Sequence, residues 1–239
     1  MDTLPRFARD PALRSALLLS VLLLLYGNLT SLAEPERRED FLLYSNLGLL
    51  SLLLLWCRWA GFTTADLGLA VARVKASALW GVALGLVLAL PLVAFIALAP
   101  FLTGEPVRAG EIDDLSGSEM AIRLAFRVPV GTALFEEVAF RGILYATWLR
   151  ATDLRRTVLG TGVVFALWHT VITFRSVTEA QVVESAPLVA LGYLGSLLGL
   201  FVGGAAFALL RWRTGGVAGP FFFHWIVVAL MTLTVWLRS

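Results

Sequence analysis

The chain has 239 residues, of which 59% are hydrophobic and only 15% are charged, and its mean hydropathy is +0.83. This composition excludes an ordinary soluble domain and is typical of an integral membrane protein. The net charge is only +2, and the 19 basic residues lie mainly between apolar runs. They indicate membrane topology and not a nucleic-acid-binding surface. The single cysteine excludes an internal disulfide framework.

Seven apolar runs follow one another and predict an all-α, polytopic transmembrane helix bundle. The predicted spans are Ala16–Ala33, Phe41–Ala60, Ala76–Leu102, Met120–Arg150, Thr157–Phe174, Pro187–Leu210 and Val217–Leu237. The first run is predicted to be retained, with a cleaved signal peptide as the alternative. An eighth, re-entrant or split segment is the alternative to a count of about seven. Residues 1–239 show no repeat or linker and are predicted to form one domain.

Basic residues are distributed unequally between the two sides that seven spans define. The side of the N-terminus carries eleven: Arg6, Arg9, Arg14, Arg58, Arg73, Lys75, Arg150, Arg155, Arg156, Arg211 and Arg213. The opposite side carries five: Arg37, Arg38, Arg108, Arg175 and Arg238. Because cytoplasmic loops are enriched in Lys and Arg, the N-terminus is predicted to be cytoplasmic.

Three charged residues lie near the middle of the fourth span: Glu136, Glu137 and Arg141. A charge near the centre of a bilayer costs at least ~2.5–3.5 kcal/mol, so such residues are functional candidates. Glu137 and Arg141 are four residues apart and are predicted to pair on one helix face. Glu136 points about 100° away along the helix and has no local cation. Glu136 is therefore the candidate catalytic residue.

Both histidines of the chain, His169 and His224, lie in apolar spans. At 1.5 Å per helical residue, Glu136 lies roughly 20 Å, His169 roughly 18 Å and His224 roughly 12 Å from the same membrane boundary. Since span boundaries are uncertain by a few residues, these depths overlap. The carboxylate pair and both imidazoles are therefore predicted to share one layer, reached by water from the cytoplasmic side.

Three sequence motifs follow one another in the second half of the chain. They are Glu136-Glu137-x-x-x-Arg141, then Phe165-x-x-x-His169, then Arg213-Thr-Gly-Gly-x-x-Gly-Pro-x-x-x-His224. In this order the sequence resembles the CPBP family, also called the Abi family, of CAAX-processing and bacteriocin-processing intramembrane proteases. The resemblance covers roughly Met120 to Leu237. Spans one to three carry no recognisable signature.

The resemblance implies hydrolysis of a peptide bond in a membrane-anchored or lipidated protein or peptide. Glu136 would be the general base for water, with His169 positioning that water. His224 would donate to the tetrahedral oxyanion, and Glu137 and Arg141 would brace the site. The resemblance also implies an integral protein of a bacterial cytoplasmic (inner) membrane. The glutamate mechanism, which needs no cofactor, is preferred here to a zinc mechanism. One position departs from the family pattern: Val228 stands where an Asn usually follows the last His by four residues.

Other functions use the same residues or the same fold. A zinc-dependent protease would hold its metal with Glu136, His169 and His224, leaving one position for water. A non-catalytic immunity or scaffold protein on the same fold is favoured by Val228. A proton-coupled transporter would use Glu136 as a relay, but the chain lacks two matching halves with broken helices.

Overall fold

The computed structural model describes residues 10–33, 35–104, 110–179 and 186–238, and their regular secondary structure is entirely helical. Four helices precede the motif region: α1 (Pro11–Thr30), α2 (Pro35–Trp59), α3 (Val71–Thr103) and the short α4 (Gly110–Asp113). The continuous helical segment 117–151 is α5. Four helices follow it: α6 (Leu154–Trp168), α7 (Thr170–Glu179), α8 (Ala186–Thr214) and α9 (Ala218–Trp236).

Helix α5 alternates between α-helical and π-helical geometry. Its parts are Gly117–Ile122 (α), Arg123–Ala133 (π), Leu134–Glu137 (α), Val138–Leu144 (π) and Tyr145–Ala151 (α). A capping box opens the helix, since Ser116 Oγ accepts from Glu119 N–H and the Glu119 carboxylate accepts from Ser116 N–H. π-Helical turns are rare and frequent at functional sites because they change which side chains share a face. Here they flank the two adjacent carboxylates.

Three contacts fix the end of α5 near Arg150 against the loop between α2 and α3. Arg150 donates to the carbonyls of Ala60 and Gly61, at 3.0 and 2.9 Å. It also lies 3.5 Å from the Asp66 carboxylate. A hydrogen bond from the backbone N–H of Thr63 lowers the pKa of Asp66, so this carboxylate stays ionised beside Arg150.

Helix α5 is the centre of the main apolar core. Its side chains Phe135, Phe140, Ile143 and Leu144 pack with Leu19 and Leu23 of α1, Leu50, Leu53 and Cys57 of α2, and Phe165 and Trp168 of α6. On the other side of the bundle α3 packs closely against α9, and a Cβ at Gly81 would collide with the carbonyl oxygen of Gly219. These two packing units hold α5, α6 and α9 close together.

The outer surface of the bundle is apolar, as a bilayer requires. Leu18, Leu52 and Leu90, for example, are 71%, 65% and 67% exposed. Within the described residues, five helices are long and apolar enough to cross a membrane, or six if α6 and α7 form one broken span. The protein is thus an all-helical integral membrane protein, and the predicted count of seven is approximate.

Two of the predicted spans look different in the structure. The fourth corresponds to α5, which is long enough to cross a bilayer but carries too many charges to count among the apolar spans. The fifth, Thr157–Phe174, is not one straight helix, because it breaks at His169 and bends by 47°. Arg6, Arg9 and Arg108 of the topology prediction lie outside the described residues, and the cytoplasmic N-terminus stays a prediction.

Candidate active site

Glu136 and Glu137 lie on the short α-helical turn between the two π-helical parts of α5, and both are buried. Glu136 is 6% exposed and Glu137 is completely inaccessible. Adjacent residues on a helix point in directions about 100° apart. The two carboxylates therefore face different neighbouring helices, and each finds a different imidazole.

Glu137 forms the predicted ion pair with Arg141 across one turn. Nη1 of Arg141 donates to Oε1 of Glu137 at 3.2 Å, and the guanidinium is only 2% exposed. The arginine also lies over the rings of Phe165 and Phe207, 4.1 and 4.8 Å from their centroids. Aromatic faces attract a desolvated cation, so the buried charge is compensated both by the carboxylate and by the rings.

Glu137 has a second partner that the spacing of residues along the chain did not predict. The Nδ1–H of His224, on α9, donates to Glu137 Oε1 at 2.9 Å. The imidazole is 13% exposed. A carboxylate that accepts from one ring nitrogen fixes both the tautomer and the orientation of the ring. The nitrogen left for a ligand is therefore Nε2 of His224.

Glu136 faces the other imidazole. Its Oε2 lies 3.8 Å from Nε2 of His169, which is close but longer than a hydrogen bond. The Nδ1 of His169 lies 2.8 Å from the carbonyl oxygen of Phe165. Because a carbonyl only accepts, Nδ1 carries the proton, and Nε2 of a neutral His169 is an acceptor turned toward Glu136.

The structure thus brings together all five residues that the sequence singled out, in one pair and one group of three. Glu136 approaches His169, and Glu137 binds both Arg141 and His224. Among the described residues, Glu136 Oε2, Glu137 Oε2 and Arg141 Nη2 are buried atoms without a hydrogen-bond partner. Such a concentration of incompletely satisfied polar atoms inside an apolar bundle indicates a functional site.

The zinc alternative stays a hypothesis, on which one observation bears. Within the described residues, no three His, Cys, Asp or Glu side chains are grouped in a way that would hold a metal ion. His224 directs Nδ1 to Glu137, not to Glu136. The three-ligand set Glu136, His169 and His224 is therefore not assembled around one point in this structure.

Val228 lies one turn beyond His224 on α9 and is half-buried. Its side chain has no hydrogen-bond donor. The departure from the family pattern therefore leaves this position of the helix apolar, next to a residue that is a candidate oxyanion donor.

Phe165 has a larger part in the site than the sequence alone indicated. Its carbonyl fixes the tautomer of His169, and its ring stands 4.6 Å from the imidazole and 4.1 Å from the guanidinium of Arg141. Phe207 of α8 contacts both Arg141 and His224. The signal for Phe165 was its position four residues before His169, whereas nothing in the local sequence pointed to Phe207.

Comparison with protein families matches residues 118–230 to the family model described as type II CAAX prenyl endopeptidase Rce1-like. Comparisons with curated proteins and with solved structures gave no significant match. The matched segment contains Glu136, Glu137, Arg141, His169 and His224, which the structure brings together. Residues 118–230, a little under half of the chain, are thus similar to the Rce1-like type II CAAX prenyl endopeptidases, a group within the CPBP family of proteases.

Proposed function

We propose that the protein is an intramembrane endopeptidase in which Glu136 activates the water that hydrolyses a peptide bond. The observation that carries this proposal is the pair formed by Glu136 Oε2 and His169 Nε2, 3.8 Å apart. Two hydrogen-bond acceptors face each other there, and a water molecule between them can donate one hydrogen to each. This arrangement is suited to holding a nucleophilic water beside a base.

The reaction follows from the roles of the Glu136–His169 pair and of the group formed by Glu137, Arg141 and His224. The water oxygen attacks the carbonyl carbon while Glu136 takes the proton. In its imidazolium form, His224 donates from Nε2 to the oxygen that becomes negative, and Glu137 holds Nδ1 of the same ring. Glu136 then passes its proton to the amide nitrogen, the carbon–nitrogen bond breaks, and the products are a carboxylic acid and an amine. Arg141 compensates the charge of Glu137 throughout.

The substrate class follows from the location of the site and from the family. Glu136 and Glu137 are buried in a bundle whose outer surface is apolar, so a substrate anchored in the bilayer by a lipid or by its own span reaches the site best. We therefore propose a membrane-anchored or lipidated protein, cut near its C-terminal or transmembrane end. The proposed location is a bacterial inner membrane, with the N-terminus in the cytoplasm.

A cleavage assay with two kinds of probe tests this function. One probe is a farnesylated peptide with a C-terminal Cys-aliphatic-aliphatic-X sequence, and the other is a peptide with one apolar span and a polar tail. We expect the purified protein to hydrolyse at least one of them and to incorporate ¹⁸O from labelled water into the new carboxylate. Membranes containing the active protein are also examined for new peptide ends. Absence of cleavage in all three experiments would support the non-catalytic scaffold instead.

Chelation distinguishes the glutamate mechanism from a zinc mechanism. We expect hydrolysis to continue unchanged after treatment with 1,10-phenanthroline, because the proposed base, oxyanion donor and bracing residues are all side chains. Thermolysin, whose catalytic zinc is held by two His and one Glu, is the positive control and should lose activity. Loss of the cleavage activity on chelation, with recovery on addition of zinc, would contradict the metal-free proposal.

Val228→Asn should increase the rate of hydrolysis. An Asn at this position adds a side-chain N–H one turn beyond His224, where the family usually has one. Because a single oxyanion donor is typically worth ~10²–10³ in rate, we expect kcat to rise at least about tenfold. Val227→Asn is the matched control, since it adds the same side chain about 100° around the helix. Equal rates for the two variants would mean that position 228 does not reach the oxyanion.

A further inference from the structure

The break in the fifth span occurs at a specific pair of backbone groups. In an unbroken helix the N–H of Val171 would donate to the carbonyl of Leu167, four residues earlier. Instead, Val171 N–H donates to Oδ1 of Asn28 at 3.0 Å, and Nδ2 of Asn28 donates to the Leu167 carbonyl at 2.9 Å. One side-chain amide from α1 has thus replaced a single helical hydrogen bond by two. A side chain inserted in this way is a known cause of a sharp kink.

His169 lies between the two groups that Asn28 holds. It ends α6 with a backbone N–H bonded to Ala166 at 3.1 Å, and α7 resumes with Thr173 donating to the His169 carbonyl at 2.9 Å. The backbone orientation of His169 therefore depends on the angle of the break. The direction of its Nε2 toward Glu136 depends on that orientation.

Close packing of α1 against α6 and α7 places Asn28 beside the break at His169. Gly27 allows α1 to approach so closely that a Cβ there would collide with the indole of Trp168. Asn28 is steadied by a further hydrogen bond from Nδ2 to the Leu24 carbonyl at 2.9 Å. On the other side of the break, Arg175 donates to the Ser31 carbonyl at 2.9 Å. Both sides of the break are thus attached to the last turns of α1.

We propose that Asn28 is a positioning residue, which sets the bend at His169 so that Nδ1 binds the Phe165 carbonyl and Nε2 faces Glu136. The first span, which carries no family motif, is then part of the active site. The catalytic consequence rests on the proposed peptidase function. The effect on the imidazole does not, because it follows from the backbone geometry alone.

Two measurements on Asn28→Leu test the proposal. The chain has only two histidines, so selective ¹⁵N-histidine labelling gives two sets of ring signals, which His224→Gln assigns. We expect Asn28→Leu to shift the His169 ring signals and to leave those of His224 unchanged. We expect kcat to fall by about 10²-fold with KM changed less than about threefold, since a displacement of about 1 Å costs that much.

Ser20→Ala is the matched control. Ser20 lies on the same helix, is buried, and accepts from Trp148 Nε1 at 3.1 Å, but it does not contact the break. Its variant removes a comparable hydrogen bond and should leave the His169 signals and kcat near wild type. Asn28→Asp keeps the acceptor for Val171 but loses the donor to Leu167, so it should give an intermediate shift and an intermediate kcat. It also provides the test if Asn28→Leu does not fold.

The possible outcomes separate this inference from the proposed function. Unchanged His169 signals in both Asn28 variants would overturn the positioning role, whatever the activity. If the Asn28 variants shift the His169 signals but the wild-type protein hydrolyses no probe, the positioning role is supported and the peptidase function is contradicted. Shifted signals with an unchanged kcat would overturn the claim that the bend serves catalysis.

Discussion

Glu136→Gln is expected to abolish peptide hydrolysis while the protein stays folded. Glutamine has the same shape as glutamate but cannot accept a proton from water, and general base catalysis typically contributes ~10²–10⁴ in rate. Glu136 Oε2 has no donor among the described residues, so the amide disrupts no existing hydrogen bond there. Its NH₂ can instead donate to Nε2 of His169, which is 3.8 Å from Oε2.

The measurement is kcat/KM on the cleaved probe, together with the thermal unfolding temperature in the same detergent. Glu119→Gln is the control, because Glu119 lies on the same helix in the exposed capping box at its start. That variant should cleave at nearly the wild-type rate. Hydrolysis by Glu136→Gln within a fewfold of wild type would remove Glu136 from the mechanism and would require another base.

Glu137→Leu and Arg141→Met are each expected to destabilise the protein strongly. Glu137→Leu leaves the buried Arg141 charge without its carboxylate, and Arg141→Met leaves Glu137 with only His224 beside it among the described residues. Breaking such a buried pair typically costs ~3–5 kcal/mol. Glu137 is completely inaccessible and Arg141 is 2% exposed, so neither stranded charge can reach water. We expect both single variants to unfold at clearly lower temperature than wild type.

The double variant Glu137→Leu/Arg141→Met separates folding from catalysis. It removes both charges at once, and replacing a buried pair by apolar side chains is often neutral for stability. Its unfolding temperature should therefore return toward wild type. We expect the double variant to hydrolyse no peptide, because Nδ1 of His224 has lost the acceptor that holds it at 2.9 Å. If the double variant cleaves its substrate normally, the bracing role of Glu137 is wrong.

The local features of the site could be predicted from the sequence. Glu137 and Arg141 are four residues apart on one helix, and a helix of known period places them in contact whatever surrounds it. The apolar runs likewise predicted α1, α2, α3, α8 and α9, because a bilayer selects for length and hydropathy alone. The proximity of the two carboxylates and the two imidazoles was also predictable, since it follows from residue counts and the rise of the helix.

The contacts between helices were not predictable in this way. The sequence placed both imidazoles in one layer with the two carboxylates but did not predict that His224 binds Glu137. Depth does not say which way a helix is rotated about its own axis, and the π-helical turns in α5 change that rotation. The break at His169 was also missed, because its cause is Asn28, 141 positions earlier in the printed sequence.

The amino-acid sequence by itself thus determined the membrane-spanning, all-helical class, the Glu137–Arg141 pair and the five residues on which the site depends. These follow from short-range periodicity and from the cost of charge in lipid, which act within one helix. Only the tertiary structure decided which imidazole contacts which carboxylate and how the His169 ring is oriented. Both contacts and orientation depend on the distance between neighbouring helices and on the rotation of each helix about its axis. The close approach of the helices depends in turn on residues without reactive side chains, such as Gly27 and Gly81.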